Sequence, residues 1–189
     1  MGIVEQVKRD VIEKIAWYKE QDEGHYDFWE NHIKYVYAEA VKLAEKRGAD
    51  LEIVELGALL HDIALISRVG TKVDHHENGK KIAEQMLTKY NYPADRLERV
   101  LKCVLRHRSS KNAETIEELC VADADVLAHF DNIPMLFDVI FVVNGEKDCS
   151  RARELIREML AKDFNDLSEE TRKEFEGRYK TILDVVLGE

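Results

Sequence analysis

The sequence predicts an all-α chain, and three observations carry that expectation. Prolines, which interrupt helices, occur only at Pro93 and Pro134. No stretch of any length alternates apolar and polar residues as a half-buried strand would. Apolar residues instead recur at spacings of three and four almost throughout.

A chain of 189 residues fits one domain, with a core over residues 26–130 and a helical extension over 134–189. That length buries a core without staples. Hydrophobic residues at 45% and charged residues at 35% fit a soluble globular protein. The formal net charge of -10 argues against a broad surface for nucleic-acid polymers or anionic membranes. An anionic substrate then has to be met locally, by a metal or a few basic residues. No apolar run reaches transmembrane length and the N-terminus does not resemble a signal peptide, so the expected location is the cytoplasm. Cys103, Cys120 and Cys149 lack CxxC spacing and read as buried thiols of a reducing compartment.

Taken in order, residues 3–20 form an amphipathic helix with Val4, Val7, Val11, Ile15 and Tyr18 on one side. Gln21-Asp-Glu-Gly24 breaks it. A second helix over 26–47 stops at Gly48, and His32, Val36, Ala40 and Leu43 share its inward face. Asp50 can cap a third helix over 51–65. Ile53, Gly57, Leu60 and Ala64 share its inward side with His61, and the small Gly57 and Ala64 let neighbours come close. Residues 67–74 read as a loop. A fourth helix over 74–90 carries His75 above the stripe Gly79, Ile82, Ala83 and Met86, with His76 one step round. Pro93 opens a fifth, on which Val100, Cys103 and Val104 lead to His107.

The sixth helix, 114–130, is apolar nearly all round from Leu119 onward except for Asp123 and Asp125. Such a helix is buried, and buried carboxylates need partners. Further helices over 134–143, 149–162 and 168–187 read as cover for the core or a homodimer surface.

Five separate segments thus turn a ligand-type residue inward: His32, the doublet His61-Asp62, His75 or His76, His107, and Asp125. Taken singly, a histidine on an apolar stripe is more often a satisfied core residue than a ligand, and either aspartate could cap a helix or pair with a lysine. The coincidence of all five is what points to a metal. Imidazole with carboxylate suits a divalent ion such as Mn, Fe, Co, Ni or Zn, with Mg also admitted. His25 and His129 read as structural or surface residues, although His129 follows Asp125 by one turn, which leaves a supporting role open.

The blocks Asn31-His-Ile-Lys-Tyr-Val, Ala58-Leu-Leu-His-Asp-Ile and Val121-Ala-Asp-Ala-Asp-Val-Leu, in that order, resemble the HD domain, a superfamily of metal-dependent phosphohydrolases. The resemblance implies a compact helical fold and a first metal held by His32, His61, Asp62 and Asp125, with Asp123 in support. The blocks Asp74-His-His-Glu-Asn-Gly and Leu105-Arg-His107-Arg resemble binuclear subgroups, which implies His75 and His107 as candidates for a second metal bridged by Asp62. Arg108 stands where HD-GYP phosphodiesterases have another histidine, and no Gly-Tyr-Pro follows. The glutamate that some nucleotidase members carry just after the doublet is absent, since Ile63, Ala64 and Leu65 occupy that region, so another residue such as Glu77, or water alone, would take its role.

The resulting expectation is a phosphohydrolase acting on a small phosphorylated compound such as a nucleotide. Asp62, His75 and His107 carry the catalytic roles, and Arg68, Lys72, Arg108 and Lys111 are the candidates for phosphate contacts. Arg108 beside His107 is expected to weaken a second ion, leaving one tightly held. A diiron oxygenase would use the same ligand set, and a metal-stabilised scaffold would leave no open coordination position.

Overall fold

In the computed structural model, which describes residues 2–21 and 26–188, the described chain is helical and contains no strand. Helix α1 spans Ile3–Gln21 and buries Val7, Val11 and Ile15. The expected break over 21–24 and His25 lie mostly outside the described residues; Gln21 itself is still helical. A π-helical turn, Trp29–Ile33, then runs into α2, Lys34–Arg47. The second helix therefore starts later than expected and is wound wider where His32 sits. Turns of this kind are frequent at functional sites because they re-aim a side chain. Asn132 Nδ2 donates to the Asn31 carbonyl at 2.8 Å, which ties the turn to the end of the buried helix. Gly48, at φ 68°, ends α2 in the left-handed conformation that favours glycine.

Helix α3, Leu51–Leu60, is the hub and packs against α1, α2, α6 and α7. Asp50 caps it by accepting from the Ile53 amide, as the sequence suggests. Its buried face runs through Ile53, Val54 and Leu56–Leu60. Gly57 is required by proximity: a Cβ there would lie 2.8 Å from Cys103 Cβ and 3.0 Å from Val121 Cγ2. The continuous helix expected over 51–65 is not found. It breaks at His61-Asp62 and resumes as the short α4, Ile63–Ile66, with Asp62 at φ -102°, ψ 17°. The apolar pattern runs through the break because both sides of it are buried, so the periodicity carries no trace of it.

The remaining elements are α5 (His75–Lys89), α6 (Ala94–Arg106), a 3₁₀ turn at Ser110–Asn112, α7 (Ile116–Asp131), α8 (Ile133–Asp138) with a second π turn at Val139–Val143, α9 (Cys149–Asp166) and α10 (Glu169–Leu187). Pro93 stands just ahead of α6 rather than in its first turn. Helix α7 is buried from Cys120 to Phe130, apart from partly exposed Asp125 and His129, and α2 lies along it. Helices α9 and α10 cover α7.

Two ion-pair groups fix this arrangement. Arg96 grips Asp50 with two bonds of 2.9 Å, while Arg99 joins Asp50 to Glu117, so the starts of α3, α6 and α7 are knotted together. Inside, Arg47 of α2 donates to Asp123 of α7 at 2.9 Å, and Asp123 also accepts from the Ser168 amide and the Ser168 and Thr171 hydroxyls ahead of and within α10. Cys103 and Cys120 are buried as expected. Cys149 is exposed, because it opens the charge-rich helix α9 at its solvent end. Burial pushes the Cys103 thiol up, away from the reactive thiolate. Among the described residues, no single helix is long and apolar enough to cross a membrane.

Candidate metal centre

The break after α3 turns His61 and Asp62 into the same space. At the end of a helix the last carbonyls lack intrahelical partners. His61 Nδ1 donates to one of them, the Ala58 carbonyl, at 2.7 Å. His107, just past α6, repeats the device on the Val104 carbonyl at 2.7 Å. His75, opening α5, donates to the Lys72 carbonyl at 2.9 Å. The loop ahead of it is pinned by Asp74 Oδ1, which accepts from the Thr71 amide and hydroxyl. A carbonyl can only accept, so in all three rings Nδ1 carries the hydrogen and Nε2 presents a lone pair.

Those Nε2 atoms converge on Asp62. On one side, His32 Nε2 lies 3.0 Å from His61 Nε2 and 3.1 Å from Asp125 Oδ1. Asp62 Oδ2 stands 3.5 Å from His32 and 3.4 Å from His61. On the other side, Asp62 Oδ1 faces His75 Nε2 at 3.2 Å and His107 Nε2 at 3.7 Å, and these two nitrogens are 2.9 Å apart. Two atoms bound to one ion at about 2.1 Å stand about 3.0 Å apart at a right angle and about 3.4 Å apart at a tetrahedral angle. Most separations in both groups fall near that spacing, while His107–Asp62 and His61–Asp125, each at 3.7 Å, correspond to a wider angle at the ion. Facing lone pairs at these distances repel unless a positive centre sits between them, either a proton or a metal ion. The donor set therefore fits a divalent ion in each group, with Asp62 placed to bridge.

All five members other than Asp125 are less than a tenth exposed. Asp125 keeps 17% of its side chain accessible, which leaves an approach from solvent. Without a metal, protons take the cation's place. Burial opposes charge on His61, but the Asp62 and Asp125 carboxylates outweigh it and push its pKa from 6.5 up to about 9. Burial also raises both carboxylates, yet the surrounding histidines hold Asp62 and Asp125 below the usual carboxylate range. His107 goes the other way: burial and the nearby His61 charge press it down to about 4. Burial, then the charges of Asp62 and Asp138, hold the Tyr26 hydroxyl above its ordinary value.

The other expected residues divide. His75 faces Asp62, whereas His76 turns away toward Arg108, and burial together with that charge lowers its pKa. Asp123 points to Arg47 and away from the histidines. Arg68 donates to the Gln21 carbonyl and lies over the Tyr18 ring. Lys111 pairs with Asp166 at 3.4 Å. Lys72 is exposed, and Glu77 lies on the exposed face of α5. Arg108 is exposed and donates to the Val73 carbonyl at 2.9 Å, a contact that ties its guanidinium to the loop ahead of α5. His129 and Asp163, 2.8 Å apart, form a pair beside His32 that the sequence reading does not bring together.

Comparison with known proteins bears on the fold and the family. The chain is similar along 95% of its length to a protein described as a predicted HD superfamily hydrolase from an uncultured Thermotogales bacterium, with 88% of that chain covered, 23% identity and a TM-score of 0.60. It is similar along 96% of its length to the Lin1889 protein of Listeria innocua, with 94% of that chain covered, 22% identity and a TM-score of 0.65. At these identities the likeness is one of fold. A tRNA (cytidine(56)-2'-O)-methyltransferase of Thermoplasma volcanium is 33% identical over an alignment of 111 residues that covers 55% of this chain and 32% of that protein. The chain thus matches about a third of the length of that relative. The HD domain family matches residues 29–129, a span that begins at the π turn bearing His32 and ends at His129, and the chain belongs to that family.

Proposed function

We propose that the protein is a divalent-metal-dependent phosphohydrolase acting on a small phosphorylated compound, a nucleotide being the substrate class to test first. The observation that carries this reading is the division of Asp62, with Oδ2 toward His32 and His61 and Oδ1 toward His75 and His107. On this reading His32, His61, Asp62 and Asp125 would hold a first ion, and Asp62, His75 and His107 would hold a second. A bound divalent ion lowers the pKa of water and polarises a phosphoryl oxygen.

The chain's own residues then do three things. The backbone carbonyls of Ala58, Lys72 and Val104 fix the imidazole orientations. The buried walls around His61 and His107 exclude bulk water from that side. Basic residues at the rim contact phosphate. Among the four expected for that task, Arg108 follows His107 in sequence and lines a cleft of about 560 Å³ with His76, Ser109, Asn112 and Lys162, a cleft that none of the six metal-centre residues lines. Exposed Lys72 can assist, while Arg68 and Lys111 are engaged elsewhere.

The test is a panel of nucleotides and phosphate esters with Mn²⁺, Mg²⁺, Co²⁺ and Ni²⁺, run on wild type and Asp62→Ala. Metal-dependent phosphate or pyrophosphate release, abolished in Asp62→Ala together with metal binding, is expected. Tightly bound iron with oxygen consumption and no phosphate release would replace this reading with an HD-type oxygenase.

A further inference from the structure

His129 and Asp163 belong to neither histidine group. His129 sits one turn beyond Asp125 on α7, and Asp163 lies on α9, outside the region matched by the HD family. His129 Nδ1 donates to Asp163 Oδ2 at 2.8 Å. The His129 ring stacks on His32, with centroids 5.5 Å apart and planes at 24°. One ring nitrogen of His129, one of His32 and a carboxylate oxygen of Asp125 all lie within 4.8 Å of one another. The His129 side chain is 27% exposed and that of Asp163 12%, so the pair is sheltered yet can be reached.

A carboxylate accepts the Nδ1 hydrogen, which leaves Nε2 as the accepting nitrogen of a ring that stacks on His32. This is the arrangement of a base held by an orienting acid. The segment after the doublet supplies no such group: Ile63, Ala64 and Leu65 follow Asp62, and Glu77 is exposed.

We propose that His129 is a catalytic residue that takes the proton of the attacking water, and that Asp163 is its positioning residue. The inference rests on the phosphohydrolase reading. The water oxygen forms a bond to phosphorus while its proton passes to His129 Nε2. The bond from phosphorus to the leaving oxygen breaks, with the electron pair going to that oxygen. The Asp163 carboxylate stabilises the imidazolium, and Nε2 then returns the proton to the leaving oxygen.

The experiment uses the full chain loaded with Mn²⁺ and compares wild type, His129→Gln, Asp163→Asn and Asp163→Glu on the ester that wild type hydrolyses best. Bound Mn²⁺, kcat and KM are measured for each. General acid–base catalysis is worth about 10²–10⁴-fold, so kcat of His129→Gln should fall at least about 100-fold with KM and bound Mn²⁺ retained. Asp163→Asn should lower kcat by a smaller factor, and Asp163→Glu should recover most of it. Loss of Mn²⁺ in His129→Gln would make His129 a ligand and overturn the proposal. Unchanged kcat in His129→Gln, or in Asp163→Asn if the former does not fold, would reduce the pair to a link between α7 and α9. Wild-type protein inert on every ester refutes the phosphohydrolase reading, whereas active wild type with undiminished variants refutes the dyad alone.

Discussion

The two aspartates of α7 stand two residues apart and should behave in opposite ways when each is changed to asparagine. Asp123 is fully buried and pairs with Arg47, whose side chain is only 5% exposed. Removing one member of a buried pair leaves the other charge uncompensated, at a cost of about 3–5 kcal/mol. In Asp123→Asn the carboxamide oxygen would still accept from the Ser168 amide, and Glu170 lies 3.7 Å from Arg47 Nε, so the lower end applies, about 3 kcal/mol. In a domain of this size that lowers Tm by about 6–12 °C. Metal binding should survive, because Asp123 faces away from the histidines. Asp125→Asn removes one of two carboxylates from the first metal group. Partners that merely orient a ligand are worth about 10–100-fold in affinity, so a direct ligand should cost more than about 100-fold. Urea unfolding paired with Mn²⁺ titration reads both effects. Metal loss in Asp123→Asn with unchanged stability would refute the assignment of the two carboxylates.

Two further outcomes follow from the geometry. Metal-free protein should be most stable near pH 6.5. His61 has a raised pKa, so its contribution is complete below 6.5 and is lost as pH rises through about 9; His107 has a lowered pKa, so stability falls as pH drops from 6.5 through about 4. The His61 displacement corresponds to about 3 kcal/mol, counted once for its pairing with the carboxylates. Unfolding measured from pH 4 to 9 checks this, and metal-free stability that kept rising above pH 6.5 would contradict it. Gly57→Ala places a methyl 2.8 Å from Cys103 Cβ and should cost about 1–3 kcal/mol in urea unfolding by prising α3 from α6. A neutral effect would show that these helices are not in the contact described.

Much of this centre is legible in the sequence because the ligands lie on strongly patterned faces. Val36, Ala40 and Leu43 fix the inward side of α2, and His32 falls on it; Val100, Cys103 and Val104 do the same for His107. The helix break at His61-Asp62 is not legible, because apolar burial continues from Leu60 to Ile63 on both sides of the turn. The π turn at His32 likewise leaves the periodicity intact. The His129–Asp163 pair joins residues 34 positions apart, one of them in a charge-rich helix where another aspartate draws no notice; the spacing of His129 one turn past Asp125 is the only signal. The Arg47–Asp123 pair spans 76 positions, and a basic residue at the end of α2 reads as ordinary helix-end chemistry. The expectation of weak second-site binding draws on Arg108, whose guanidinium is held at the Val73 carbonyl. On the proposed two-ion reading, ligand count favours the same order, with His32, His61, Asp62 and Asp125 around the first site and Asp62, His75 and His107 around the second.

The central claim is that Asp62 serves two ions at once. Mn²⁺ titration of wild type and His107→Ala, with bound metal counted per chain before and after dialysis, tests it most directly. The account predicts two ions per chain at saturation in wild type, one of them surviving dialysis, and a single retained ion in His107→Ala. One ion in saturated wild type, or two in saturated His107→Ala, would contradict it.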